Sequence, residues 1–425
     1  MKKTISGIRG VPGADLNLKD IIGFCNGFSK LVEDRCILAR DTRTSGDMIS
    51  RMAAAALIQN GIDVLDLGIS PTPVAFRESR QINAALCVTA SHNPLHWNGL
   101  KFSLYGRGVN SRQMDAILHS PEARRGSIGS RIPAKSSYVE DIMDLVGYID
   151  YAPKILVDVG GGAAAGIASH ILKEMGCSVS VINQDPAEST RGPDPTSDSL
   201  DDLVARTKTA EIGFAFDLDG DRLVLVRDGK KLSPDTTLAL GVSKAIDMGY
   251  SRYVLSIDTS VSIERMIKEN GGSVIRSKVG EANVVDTMLM AGAEVGGEGS
   301  SGGFILPEFN MCRDGILAGC FIASTLRRPD LDQVISLVES YDRVRDAVPL
   351  ATSMHDAALQ RAAEWIKDEC SDTVEIDGIK GIIDEDAWVL VRPSNTEDVI
   401  RISAESDKPG GARQIVRNVR AAMVE

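Results

Sequence analysis

Four short segments bring together residue types able to do chemistry. The first is Thr89-Ala90-Ser91-His92-Asn93-Pro94, behind the apolar run Ala84 to Val88. A strand there would deliver Ser91 to a sharp turn, since Asn93 and Pro94 break regular pairing. A serine presented this way is a candidate nucleophile, although a nucleophile needs activation. His92 is adjacent in sequence, which is expected to point its ring elsewhere. The same hexapeptide also reads as a plain Asx or Pro turn.

The second segment, Asp217-Leu218-Asp219-Gly220-Asp221-Arg222, lies between the apolar runs Ile212 to Phe216 and Leu223 to Val226. Carboxylates at i, i+2 and i+4 of one turn repel unless a cation sits among them, so a hard divalent metal, Mg²⁺, is expected. An EF-hand loop would need glycine at its sixth position and glutamate at its twelfth, where Arg222 and Asp228 stand. A solvated acidic turn is the other reading. The third segment, Gly296-Gly297-Glu298-Gly299-Ser300-Ser301-Gly302-Gly303, lets backbone approach a ligand closely, with Glu298 and Ser300 as acceptors suited to sugar hydroxyls. The fourth, Arg392-Pro393-Ser394-Asn395-Thr396-Glu397, combines a guanidinium, hydroxyls and turn amides, a nest for a phosphate monoester. A serine, a metal-binding carboxylate cluster, a polyol-reading loop and an anion nest point together to phosphosugar chemistry.

The elements that must position these segments are legible as a repeat. Arg35 to Leu67, Lys154 to Ile182 and Arg252 to Ile275 each read as strand, amphipathic helix, Gly turn and second strand. Such alternation is the signature of βαβ units in an α/β layer architecture. Each first strand ends at or just before an aspartate (Asp41, Asp158, Asp258), and ligands of open α/β sheets bind at those strand ends, so the three units are expected around one cleft. Ser120 to Ser137 and Asn183 to Ser199 read as linkers or long loops. After about residue 350 the pattern changes to helix, strands and a closing helix over Arg413 to Met423, a smaller α+β domain.

Composition removes several function classes. The 425 residues are 43% hydrophobic and 25% charged, enough for a sizeable core. A net charge of −12 argues against nucleic acid and anionic membrane surfaces as partners. No apolar run approaches the ~20 residues of a membrane span, and Met1-Lys2-Lys3-Thr4 is followed by no apolar h-region. The seven cysteines are scattered without a CxxC pair, which suits reduced thiols and a cytoplasmic location.

Taken in order, the segments resemble those of the α-D-phosphohexomutases, the phosphoglucomutase, phosphomannomutase and phosphoglucosamine mutase superfamily, over essentially the whole chain. Thr89 to Pro94 is identical to the family's phosphoserine loop; Asp217 to Arg222 matches its metal loop with Leu218 in place of the usual glycine; Arg392 to Glu397 matches its phosphate loop, with Asp398 where proline is common. Gly7-Ile8-Arg9-Gly10, Asp41-Thr42-Arg43, Pro71-Thr72-Pro73, Asn98-Gly99-Leu100-Lys101 and Lys278-Val279-Gly280 fit lesser motifs.

The resemblance implies three similar α/β domains with mixed sheets and a C-terminal α+β domain around a central cleft, bounded at 1–135, 150–248, 249–347 and 355–425. It implies a phosphoryl carrier at Ser91, catalytic roles for Arg9, Lys101, Arg222 and His92, and Mg²⁺ held by Asp217, Asp219, Asp221 and a phosphate oxygen on Ser91. Glu298, Ser300 and Lys278 would bind the sugar, and Arg392, Ser394, Asn395, Thr396 and Arg401 the non-reacting phosphate. The implied reaction interconverts hexose 1- and 6-phosphates through a hexose 1,6-bisphosphate that turns around, in a monomer or homodimer, with glucosamine phosphate as the leaning and mannose or glucose phosphate as alternatives. One departure is the histidine that many bacterial members carry in the sugar loop: Gly302 stands there, leaving the general base unassigned. Two other readings are a catalytically silent phosphosugar-binding relative and a nicotinamide-dependent oxidoreductase, the latter because Gly160 to Ala165 fits G-x-G-x-x-A.

Overall fold

The computed structural model describes residues 1–123, 126–394 and 399–424. Among the described residues there are four sheets. The first places Asp63–Ile69, Arg35–Arg40 and Ala84–Val88 parallel and side by side, then Asn98–Leu104 antiparallel to Ala84–Val88. The second repeats that order with Ser178–Ile182, Lys154–Asp158, Ile212–Phe216 and antiparallel Leu223–Arg227. The third repeats it again with Ser273–Ser277, Arg252–Ser256, Val295–Glu298 and antiparallel Gly303–Ile305. The three βαβ repeats are therefore real and share one topology.

That topology explains the spacing of the chemistry. In each sheet the loop between the third parallel strand and its antiparallel partner holds one functional segment: residues 89–97, 217–222 and 299–302. The same turn of the same unit thus supplies Ser91, the three carboxylates and Ser300, with Glu298 the last residue of the strand that leads into the third turn.

The fourth sheet is antiparallel throughout, in the order Asp342–Pro349, Val399–Ser406, Ala387–Pro393, Ile379–Asp384 and Asp372–Val374, with His355–Glu369 and Gly411–Val424 packed on it. Two domain limits read from sequence move accordingly. Asp342–Pro349 is the edge strand of this last sheet, so the domain starts before 355 and the third ends before 347. Pro234–Asp247, assigned to the second domain, packs with the third. A Cβ on Gly297 would meet Leu238 at 2.2 Å and one on Gly241 would meet Phe304 at 2.7 Å, contacts only glycine allows. The stretch read as a linker, Ser120 to Ser137, contributes the strand Arg131–Pro133 to the first sheet.

One apolar core, including Phe214, Phe216, Leu238, Phe304 and Phe321, runs through the second and third units, whereas the first and fourth have cores of their own around Phe102 and Ile402. Among the described residues no helix is long and apolar enough to cross a membrane, and the seven cysteines are free, six of them buried.

Candidate active site

Ser91 is fully buried, at φ 51°, a left-handed conformation that costs a non-glycine residue and must be imposed by its surroundings. Two groups impose it. The Ser91 amide donates to Thr89 Oγ1 at 2.8 Å, and Thr89 Oγ1 donates to Asp41 at 2.6 Å. The Arg43 guanidinium donates to the carbonyls of Ser91, Asn93, Pro94 and Trp97 at 2.6, 2.7, 2.5 and 3.0 Å. Burial pushes the Asp41 carboxyl up, and its ion pair with Arg43 at 3.0 Å works against that. The strand-end aspartates therefore build turns: Asp41 holds Arg43, Asp158 accepts from the Gly160 amide, and Asp258 accepts from Ser256 Oγ.

His92 does not point away. Its Nδ1 lies 3.3 Å from Ser91 Oγ and its Nε2 3.5 Å from Arg222 Nη2. Burial, then the charges of Arg222 and Arg9, push the imidazole well below its ordinary value, so the ring is neutral near pH 7. The left-handed backbone at Ser91 is what lets consecutive side chains converge.

The metal loop stands opposite. Asp217, Asp219 and Asp221 are buried, with ligand oxygens all within 4.8 Å of one another, and Asp217 Oδ2 lies 3.3 Å from Ser91 Oγ. Asp219 accepts from Thr72 Oγ1 at 2.7 Å; Asp221 accepts from Lys101 Nζ and Arg313 Nη2, both at 2.8 Å. Burial and then the charges of Asp219 and Asp221 push Asp217 well above the carboxylate range. Burial opposes charge on Asp221 as well, but Arg313, Lys101 and Arg222 hold it well below. Lys101 is the reverse case: burial disfavours its charge, and Asp221 with Asp219 outweighs burial and raises it. Arg9 feels the same acids, while burial lowers it. Asp219 Oδ1 and Asp221 Oδ1 are buried without a hydrogen-bond donor, a costly state that a hard oxygen-seeking cation relieves. The donor set fits a divalent metal.

The sugar loop joins this centre through a residue that sequence reading missed. Glu298 accepts from the Gly280 amide at 2.6 Å and from Arg313 Nη1 at 2.9 Å; burial raises its carboxyl above the usual range. Arg313 thus contacts Glu298 and Asp221 at once. The sequence signal for it was a single cation among the largely apolar residues Phe304 to Ile322. Ser300 is half-buried on the turn Gly299–Ser301, and Lys278 is exposed, one residue past the strand Ser273–Ser277. Gly302 sits at φ 64° with the Leu223 carbonyl 2.3 Å from where a Cβ would be. A histidine cannot stand there without moving the chain.

The phosphate segment lies on the last sheet. Arg392 and Arg401 are cross-strand partners, a like-charge pair on one face that an anion would stabilise. Arg392 lies 4.0 Å from Asp377, which accepts from the Val279 amide, so the Lys278–Gly280 stretch and the phosphate strand meet at one aspartate. The Ser394 amide donates to the Val399 carbonyl. Asn395 and Thr396 lie outside the described residues. The glycine run at 160–162 is filled by its own chain: a Cβ would meet Arg191 at 2.6 Å, Pro186 at 2.5 Å and Leu218 at 2.9 Å. No space is left there for a dinucleotide phosphate.

Comparisons with known proteins cover nearly the whole chain. Residues 1–124, 136–230 and 233–342 match phosphoglucomutase/phosphomannomutase alpha/beta/alpha domains I, II and III, and 344–422 matches the C-terminal domain of that family. A relative in Methanothermobacter thermautotrophicus described as a probable phosphoglucosamine mutase is 33% identical over 405 residues, covering 90% of this chain and 88% of that one. One of the same description in Pyrococcus furiosus is 30% identical over 99% of this chain and 97% of the relative. The crystal structure of a phosphoglucomutase/phosphomannomutase family protein from Burkholderia thailandensis superposes with a TM-score of 0.87 at 25% identity, covering 100% and 97% of the two chains. With all four domains and this assembled centre, the chain belongs to the phosphoglucomutase/phosphomannomutase family of phosphohexomutases.

Proposed function

We propose that the enzyme interconverts glucosamine 1-phosphate and glucosamine 6-phosphate, with Ser91 as the phosphoryl carrier. The observation that carries this reading is the 3.3 Å approach of Ser91 Oγ to the buried aspartate triad. The descriptions of the relatives favour glucosamine phosphate among the hexose phosphates.

In the forward half-reaction the sugar hydroxyl forms a new bond to the phosphorus of phospho-Ser91 as the P–Oγ bond breaks. The proton that the sugar hydroxyl loses balances the one that the released serine oxygen takes up, and His92, neutral with Nδ1 3.3 Å from Oγ, accepts a hydrogen bond from the regenerated hydroxyl rather than acting as an acid. Lys101 stays protonated, so it serves as a donor and a charge rather than as a base. Arg222 adds a second cation beside the serine loop through its contact with His92. Mg²⁺ held by Asp217, Asp219 and Asp221 would supply neutralisation of the charge on the transferred phosphoryl oxygens. Glu298 and Ser300 grip hydroxyls of the sugar ring, and the Arg392–Arg401 pair with the Ser394 turn holds the phosphate that is not reacting. After the bisphosphate turns around, its other phosphate returns to Ser91.

The test offers glucosamine 6-phosphate, mannose 1-phosphate and glucose 1-phosphate in parallel coupled assays with catalytic hexose 1,6-bisphosphate. Highest kcat/KM on the glucosamine phosphate is expected; a preference for mannose or glucose phosphate overturns the substrate, and absence of isomerisation on all three overturns the reaction.

A further inference from the structure

We infer that Arg313 is a positioning residue that ties the sugar-reading glutamate to the metal loop, so that the grip on the sugar and the transfer centre keep one fixed separation. The inference rests on the mutase reading and goes beyond it by assigning this residue. Arg313 has one terminal nitrogen on Glu298 at 2.9 Å and the other on Asp221 at 2.8 Å. Its backbone amide donates to Glu281 Oε2 at 3.1 Å, and Nε lies 3.4 Å from the same oxygen. Glu281 opens the helix Glu281–Ala291 directly after Gly280, whose amide holds the other oxygen of Glu298. The arginine stem lies where Gly303 has no side chain, since a Cβ there would meet Arg313 Cδ at 2.3 Å. A rigid strut is thereby braced on both ends and along its length.

The chemistry needs such a strut because the sugar must bring its 1-position and its 6-position to Ser91 in turn from one grip. Productive transfer tolerates misplacement of only about 0.5 Å, and a displacement of ~1 Å costs on the order of a hundredfold in rate. A guanidinium presents donors along separate edges of a plane and so reaches two carboxylates in fixed geometry; a lysine ammonium on a flexible stem does not.

The experiment is a double-substitution cycle in the Ser91→Ala chain, where glucosamine 6-phosphate binds without turning over. Kd is read by titration calorimetry for Arg313→Gln, Glu298→Gln and the pair. Each single change is expected to weaken binding roughly tenfold, the scale of a lost charge-assisted hydrogen bond. The pair is expected to be no weaker than the worse single, because Arg313 acts through Glu298. Multiplied losses, or unchanged binding by Arg313→Gln, overturn the role. Should the parent bind none of the phosphosugars, the mutase reading falls with it, which separates the two failures. Arg313→Lys, checked by thermal melting, serves if the glutamine variant does not fold, with the same non-additivity expected. With Ser91 intact, a KM raised together with a lowered kcat supports positioning. A merely structural role would lower kcat through the folded fraction and leave KM in place.

Discussion

The junction among the first three domains and the junction to the fourth are built differently. At the first, side chains of one domain lock onto the backbone of another: Arg80 donates to the carbonyls of Pro307, Glu308 and Phe309, Asn310 to Pro73, and Thr42 to Gly161. The contacts of the proposed transfer centre cross it as well, with Thr72 on Asp219, Lys101 on Asp221 and Ser91 on Asp217. At the second, a small patch of Ile257, Trp388 and Leu390 is ringed by ion pairs such as Arg345–Asp235 and Arg265–Asp386. The fourth domain keeps a core of its own. Polar interfaces between separately cored domains permit relative motion, whereas the first domain also shares apolar packing with the third, where Cys312 joins the cluster of Ala39, Ala75 and Phe76. A preorganised transfer centre and a phosphate strand on an adjustable hinge are therefore expected. A substrate that must turn around between two half-reactions is suited by that division.

The comparison can be broken at several points. Ser91→Ala, in the rigid half, should lower turnover by about four orders of magnitude or more, with little change in a thermal melt. Near-normal turnover would remove the serine from the chemistry. Arg43→Ala leaves Asp41 as an uncompensated buried charge and frees four loop carbonyls. Denaturant unfolding should report a loss of about 3–5 kcal/mol, along with most activity. Arg345→Ala weakens only the hinge. Its side chain is 34% exposed, so a loss of about 1 kcal/mol or less is expected, with a severalfold higher KM and an unchanged rate of Ser91 phosphorylation by bisphosphate.

The smallest effect is a pH dependence of the hinge. Lys380 is buried at this junction, donating to the Ile257 carbonyl at 2.8 Å and lying 3.9 Å from the Trp388 ring centroid. Burial and then Arg276 lower it to about 7, against the opposing charges of Glu405, Asp258 and Glu264. The unfolded chain holds this proton up to a higher pH than the folded one. Stability contributed here thus rises as pH climbs from about 7 towards the free-lysine value of ~10.4 and is absent below the folded value. Amide protection at the last sheet, taken relative to the intrinsic base-catalysed exchange rate at each pH, should accordingly be weaker below pH 7 than above it, and Lys380→Met should flatten that difference.

Much of this was legible in the residues. The three βαβ repeats declared themselves through apolar runs, Gly turns and strand-end aspartates, and the Ser91 and Asp217 to Asp221 segments through residue types that only a turn and a cation reconcile. What escaped depended on distant partners. The strand Asp342–Pro349 is rich in charged residues and owes its place to pairing with Val399–Ser406, about 60 residues on. His92 was misjudged because the φ of 51° at Ser91 is set by Arg43, 48 residues away. Arg313 carried no motif, since its meaning lies in two carboxylates from two other loops.

The most direct measurement is peptide mapping of the full-length enzyme after incubation with hexose 1,6-bisphosphate and Mg²⁺. One phosphate on the peptide holding Ser91, lost on addition of glucosamine 6-phosphate as bisphosphate appears, is the predicted result. A phosphate elsewhere, or isomerisation with Ser91 never modified, would contradict the account.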